Sequence, residues 1–282
     1  MWKITFFFFF ICISPMSFAS NDNSDEKEFC SQGIERRVDK NLGKYRVRIS
    51  YANERMCQVL EILKGTQIVF REWGIDNHYY LGARQSDHDR RFKMNLTGQG
   101  EQLVVSKWTG GAHCCTSLLI FDLRRNFRKI AEIYGGNFNP EIVDLNHDGI
   151  PEIRIADDFL AYQFSSFANS AVGSVTLKYA KNEYVLAEEM MKRPPPNPRS
   201  WKKWIPEWRR ALRRKYPDWP PESFIQTLTN YVFTRNAGRA RDFVNHVWPK
   251  EVEGKSEFLR SYKEALAESR YYAKAARDFD AP

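Results

Sequence analysis

The chain changes its hydrophobic period at one place, and that change limits the fold more than any other feature. Ahead of Lys192-Arg193-Pro194-Pro195-Pro196-Asn197-Pro198, apolar residues come in short β-branched and aromatic runs; beyond it they recur every three or four positions. Alternation suits a strand buried on one face, whereas a period near 3.6 suits a helix with one buried stripe. Three successive prolines fix φ and remove backbone donors, which enforces an extended spacer between the two regimes. The expected class is α+β: an antiparallel β domain, sandwich or meander, followed by a small C-terminal helical bundle.

The strand signals are Tyr45 to Tyr51, Met56 to Leu63, Gln67 to Glu72, Gln102 to Trp108, Cys115 to Leu123, Lys129 to Tyr134, Glu152 to Ala156, Val172 to Tyr179 and Tyr184 to Ala187. Lys64-Gly65, Gly135-Gly136-Asn137 and Lys181-Asn182 supply turns between them, and no helical pattern intervenes that could carry a parallel crossover. Past the prolines, Phe224, Ile225, Leu228, Tyr231 and Val232 predict one amphipathic helix. Phe243, Val244, Val247 and Trp248 predict a second, and Phe258, Leu259, Tyr262, Leu266 and Ser269 a third. Pro206 fits a first helical position ahead of Glu207 to Lys215.

Charge divides at the same boundary. Residues 192–282 hold 20 Lys and Arg against 11 Asp and Glu, while residues 1–191 hold 23 against 24. The net charge of +8 therefore belongs to the helical part.

The N-terminus reads as a targeting segment. Met1 to Lys3 give a positive start, Ile4 to Ile13 an apolar run containing five consecutive Phe, and Ser17-Phe18-Ala19 a small-x-small cleavage site. The resulting boundaries are a signal peptide at 1–19, a disordered acidic stub at 20–28 and a β domain at 29–190. A Pro-rich linker at 191–200 and a basic helical domain at 201–282 follow. A cleaved signal places the mature chain in a secreted or periplasmic space, where Cys30, Cys57, Cys114 and Cys115 are expected as disulfides. Cys114 and Cys115 open an apparent strand, where neighbouring side chains point to opposite faces. Each is therefore expected to pair with one of Cys30 and Cys57, the alternative being a Cys30–Cys57 bridge with a vicinal one.

Between two short apolar runs lies Asp144-Leu145-Asn146-His147-Asp148-Gly149-Ile150-Pro151-Glu152. Side-chain oxygens at alternate positions of such a loop converge on one hard cation. Asp144, Asn146 and Asp148 are the expected ligands, joined by the carbonyl of Ile150 and a bidentate Glu152, with Gly149 permitting the sharp turn. The expected cofactor is calcium.

This loop and the strand after it resemble the calcium loops of FG-GAP and VCBS-type repeats. The likeness spans some 15 to 20 residues and occurs once, so it implies a related loop on a single β domain and not a propeller. A wider stretch combines Ser106 to Thr116, containing Gly110-Gly111-Ala112-His113-Cys114-Cys115, with the Asp144 loop, Asp157-Asp158-Phe159 and Leu177-Lys178-Tyr179. It resembles an uncharacterised family of secreted or periplasmic bacterial proteins, which implies compartment and fold and no activity.

His113, Cys114 and Cys115 form a rival site, as soft ligands for copper or zinc or as a thiol nucleophile with an imidazole base. That alternative makes the chain an envelope hydrolase or a thiol- or metal-handling protein. No HExxH, GxSxG, P-loop or dinucleotide fingerprint is present. His78, His88, His147 and His246 are isolated and read as structural or surface residues. Asp157-Asp158 and Glu188-Glu189 are neighbouring acids without further signature.

The stretch Trp201 to Lys215 carries tryptophans at helical spacing amid cations. Trp201, Lys202, Lys203, Trp204, Trp208, Arg209, Arg210, Arg213 and Arg214 are candidate contacts to an anionic surface, with peripheral membrane contact one form of it. The alternative is a core stripe with a solvated basic back. A secreted location disfavours nucleic acid and favours an envelope or extracellular anionic partner. The function expected from the sequence is thus a calcium-stabilised binding or interaction protein of the bacterial envelope.

Overall fold

The computed structural model describes residues 28–279 apart from 53, 55, 84–90, 112–114, 125 and 215–218. The expected signal peptide, and the stub except for Glu28, lie outside the described residues. Thirteen strands form three antiparallel sheets among these residues, and seven α-helices follow them. The class is α+β with a helical C-terminal region.

Each sheet is assembled mainly from strands consecutive in the chain. The first holds β1 (Glu35–Leu42), β2 (Tyr45–Ala52), β3 (Cys57–Lys64) and β4 (Gln67–Ile75), in that order. The second, lying between the other two, contains β5 (His78–Leu81), β7 (Gln102–Trp108), β8 (Thr116–Asp122) and β9 (Arg128–Gly136), with β6 (Lys93–Met94) also paired to β7. The third runs β10 (Glu141–Val143), β11 (Glu152–Asp157), β12 (Gly173–Ala180) and β13 (Glu183–Leu186). Tight turns make this meander. Lys181 and Asn182, both at positive φ, form the two-residue link between β12 and β13, the sign that matches the right-handed twist of a hairpin.

Every residue of β8 is buried, because the middle sheet serves two cores. Leu103, Val105, Leu119 and Phe121 face the first sheet and pack with Val47, Ile49, Leu60 and Ile62. Val104, Leu118 and Ile120 face the other way, into a large cluster with Ile153, Ile155, Val175 and Leu177 of the third sheet.

The helices complete that cluster. They are α1 (Glu188–Met191), α2 (Pro198–Lys202), α3 (Ile205–Leu212), α4 (Glu222–Phe233), α5 (Ala237–Val247), α6 (Lys255–Ala267) and α7 (Ala275–Asp278). Strands give way to helices at the Pro-rich passage, but one core spans it: Trp208, Phe224, Phe243, Phe258 and Tyr262 belong to the same cluster as Leu118 and Val175. Gly173 at the start of β12 marks the closest approach, since a Cβ there would sit 2.2 Å from Phe233 Cε1. The passage is itself pinned to the helices. Tyr231 donates from its hydroxyl to the Pro196 carbonyl at 3.2 Å, and Asn236 donates to the Arg193 carbonyl at 3.1 Å.

The cysteines correct one expectation. Cys30 pairs with Cys57, Cα to Cα 5.5 Å, and not with Cys114 or Cys115. The physical reason is topological: the turn before β1 folds back over the first sheet and reaches the start of β3, whereas Cys115 enters the middle sheet. Cys115 is also disulfide-bonded. Cys114 falls outside the described residues.

Candidate metal centre

The acidic loop joins β10 to β11, whose pairing of Val143 with Glu152 closes a hairpin base. Short side chains and backbone amides then organise the turn. Asp144 accepts the amides of Asp148 (3.2 Å) and Gly149 (3.0 Å) on separate oxygens. Asn146 Oδ1 accepts Asp148 N at 3.0 Å, and Asp148 Oδ1 accepts Ile150 N at 2.8 Å. Chain reversal needs left-handed backbone at His147 (φ 61°) and Gly149 (φ 83°). Glu152 is buried, and its Oε2 holds the amide of Leu145 at 2.9 Å.

Three carboxylates therefore sit within nine residues, and none joins an ion pair among the described residues; the nearby cation Arg154 is engaged by Glu141 at 2.5 Å. Each carboxylate and amide oxygen that accepts one N–H keeps a further lone pair. An all-oxygen set carrying three negative charges without counter-cations fits a hard divalent ion, with Asp144, Asn146, Asp148, the Ile150 carbonyl and Glu152 as the residues to hold it. Among the described residues no three His, Cys, Asp or Glu side chains already converge as a metal-holding group, so the loop is not a preformed cage.

A layer that the sequence did not point out supports this loop. Ile150 packs over Gly98, where a Cβ would meet Ile150 Cδ1 at 2.8 Å. Arg124, anchored on Asp122 at 2.6 Å, donates to the carbonyl of Gln99, so the 98–100 turn is held from both sides.

Of the rival segment, His113 and Cys114 lie outside the described residues. Cys115, oxidised, places its Sγ 3.0 Å from the Tyr134 hydroxyl, and its amide donates to Thr109 Oγ1 at 3.0 Å. Gly110 and Gly111 take positive φ, and a Cβ on Gly110 would lie 2.9 Å from Asp76 Cβ, so the glycines let this segment pass close to the preceding turn.

The tryptophan-rich stretch divides. Trp201 and Trp208 are core residues and unavailable to an external surface, which corrects their assignment as contacts: Trp201 Nε1 donates to Tyr231 Oη at 3.2 Å and Trp208 Nε1 to Ser223 Oγ at 2.8 Å. The helical stripe faces inward because α3 needs large apolar groups to seal against Phe224 and Phe243. Arg209 caps α5 by donating to the Val247 and His246 carbonyls, and Arg213 pairs with Glu251. Lys202, Lys203, Trp204, Arg210 and Arg214 remain exposed.

The neighbouring acids at the end of β11 do structural work. Asp157 is buried and accepts from Ser269 Oγ at 2.6 Å, tying the segment after α6 to the third sheet. Burial pushes its carboxyl above the usual range, opposed by the Ser269 hydrogen bond. Asp158 accepts from the amide and side chain of Asn137. His78 stacks on Trp108, and burial lowers its pKa. His88 lies outside the described residues.

With this geometry in view, comparison with known proteins adds one partial likeness. The chain is 36% identical over 74 residues to a Synechocystis protein described as a "Probable thylakoid lumen protein". The match takes in 24% of this chain and 21% of that relative, so the chain spans about a fifth of the relative's length. No family model matches the chain, and no solved structure does. No helix of the described residues is long and apolar enough to cross a membrane.

Proposed function

We propose that this chain is an extracytoplasmic binding protein of the bacterial envelope, secreted or periplasmic, whose β10–β11 loop takes one calcium ion. Support for the compartment comes from the signal-like residues 1–19, two oxidised cysteine sites and a partial relative named for the thylakoid lumen. The observation that carries the metal reading is the unpaired negative charge of Asp144, Asp148 and Glu152 on a loop folded around its own oxygens. Calcium would neutralise that charge and draw the carboxylates together, stiffening the hairpin against the 98–100 turn. The likeness to FG-GAP and VCBS-type loops and to the GGAHCC-bearing family agrees with this role. An anionic envelope or extracellular surface is the proposed partner of the exposed cations Lys202, Lys203, Arg210 and Arg214 beside Trp204.

Chelation tests the metal reading. A ligand that binds only the folded state at a hundred times its Kd adds about 2.7 kcal/mol, or about 5 to 11 °C in Tm for a chain of this size. Calcium is expected to raise Tm by that order, EGTA to abolish the rise, and Asp148→Ala to make the protein indifferent to both. A wild-type Tm unmoved by chelator would sink the calcium reading.

A further inference from the structure

The outer face of the first sheet ought to be wet, and it is largely covered. Val47, Ile49, Leu60 and Ile62 turn toward the middle sheet, which leaves Ser50, Val59 and Glu61 on the opposite face, yet these are only 2%, 7% and 8% exposed. Their cover is the turn before β1. The Cys30–Cys57 bridge holds it down, with Phe29 packed beside Ala52 and Val59. This cover does not fill the space beneath it: a cavity of about 250 Å³ remains between Cys30, Ser31 and Ile34 on one side and Ser50, Val59, Glu61, Arg71 and Trp73 on the other.

One end of the cavity is apolar and the other carries unused donors. Cross-strand register sets Ser50 opposite Val59 and Val59 opposite Trp73, with Glu61 opposite Arg71 in the neighbouring row. Ser50 Oγ is buried and makes no hydrogen bond. Glu61 accepts from Arg48 at 3.2 Å and from Arg71 Nε at 2.9 Å, so one carboxylate already serves two guanidinium groups. Asp39 lies 3.8 Å from Arg48, so that cation is itself shared between two acids. Arg71 spends Nε and one terminal nitrogen on Glu61, and its other terminal nitrogen has no hydrogen bond among the described residues.

We infer that this cavity is a binding site for a small amphipathic monocarboxylate. The acid group meets the free Arg71 nitrogen and Ser50 Oγ, and the apolar body lies against Val59, Trp73, Ile34 and the disulfide. With Glu61 already taken up by Arg48 and Arg71, the spare Arg71 nitrogen and the partnerless Ser50 hydroxyl favour an acid group over an amine or a neutral molecule. A volume just under the ~300 to 1,000 Å³ of drug-sized pockets limits the ligand to a short chain or a single ring. Ile34, 59% exposed, stands at the rim where such a molecule would enter.

The test is calorimetric titration of the oxidised, signal-free chain with phenylacetate, benzoate and isovalerate. Benzylamine and benzyl alcohol serve as cationic and neutral counterparts. At least one of the acids is expected to bind at a single site, about tenfold or more tighter than either counterpart. Arg71→Gln and Ser50→Ala should each weaken it by about tenfold, the loss of one charge-assisted hydrogen bond. Ser50→Ala removes a buried hydroxyl that lacks a partner, so its Tm should hold or rise, and lost binding then does not report misfolding. The inference is overturned if none of the acids binds at millimolar concentration, if the three charge types bind alike, or if both variants bind as wild type. Binding that emerges only after removal of residues 20–27 would make the chain's own acidic stub the occupant and would overturn it as well.

Discussion

Removing the Cys30–Cys57 bridge gives the sharpest test of how the first sheet is held. The two residues are 27 apart in sequence. Closing a loop of that length in the unfolded chain removes about 12 cal/mol/K, which is about 3.5 kcal/mol at 25 °C. The double variant Cys30→Ala, Cys57→Ala takes away the cross-link without reducing the disulfide at Cys115, so a single bridge is perturbed. Urea unfolding should show a loss near that figure, and thermal melting a drop of about 7 to 14 °C. Native-state hydrogen exchange adds a spatial signature. Amides of β1, held to one neighbouring strand only, should lose protection well before those of β8. A loss below about 1 kcal/mol would refute the reasoning. It would mean that Phe29 and its contacts with Ala52 and Val59 hold the turn unaided and that the cross-link restrains little in the unfolded chain.

Three further outcomes are expected. Gly173→Ala forces a methyl into the ring of Phe233 and should cost about 1 to 3 kcal/mol in urea unfolding, whereas Gly238→Ala, with open space around it, should not destabilise at all. Trp208→Ala should cost about 3 to 5 kcal/mol and Trp204→Ala much less, because the first ring is 1% exposed and the second 40%. Asp157 has a folded-state pKa raised above its ordinary 3.8, so the stability it contributes is fully present below that value and lost as pH rises through the folded one. The stability of Asp157→Asn minus that of wild type should therefore increase as pH rises from below 3.8 through the folded-state value; a flat or falling difference in chemical denaturation would contradict the burial of that carboxyl.

Much of this architecture is written in local pattern. Gln102 to Trp108 is a strand at the residues that its alternation and β-branched content indicate, and the helices on Phe224, Phe243 and Phe258 follow their apolar spacing. β1 has no such pattern, because Glu-Arg-Arg-Val-Asp-Lys-Asn-Leu offers almost no apolar face; it exists through backbone pairing with β2, at a sheet edge where charge is tolerated. Periodicity also states that a face is buried without naming what buries it. The shared core between the third sheet and the helices was therefore illegible, and Trp201 and Trp208 read equally well as surface or interior. The pairing of cysteines depends on which strands become neighbours, information that spacing alone does not carry. One further signal lies in the sequence: Glu61 interrupts the apolar run of β3, and a buried acid there requires cations on both flanking strands, which Arg48 and Arg71 supply. At the acidic loop the sequence gives donor types and order, while the closeness of the carboxylates depends on the ion they meet.

The two-sided burial of β8 carries a further consequence, for register. A strand with one wet face is kept from slipping, since a shift by one residue would put its polar set into the core. β8 lacks that safeguard: exchanging Leu118 and Ile120 with Leu119 and Phe121 moves apolar groups from one interior to another. A side-chain pin to the neighbouring strand stands instead at its start. Thr116 donates to the Gly136 carbonyl at 3.2 Å and to the Phe138 carbonyl at 2.5 Å, which ties the start of β8 to the end of β9. Loosening that pin would leave the hydrophobic energy nearly intact while multiplying the alignments that share it, so Thr116→Val should give a chain that is folded but no longer uniform.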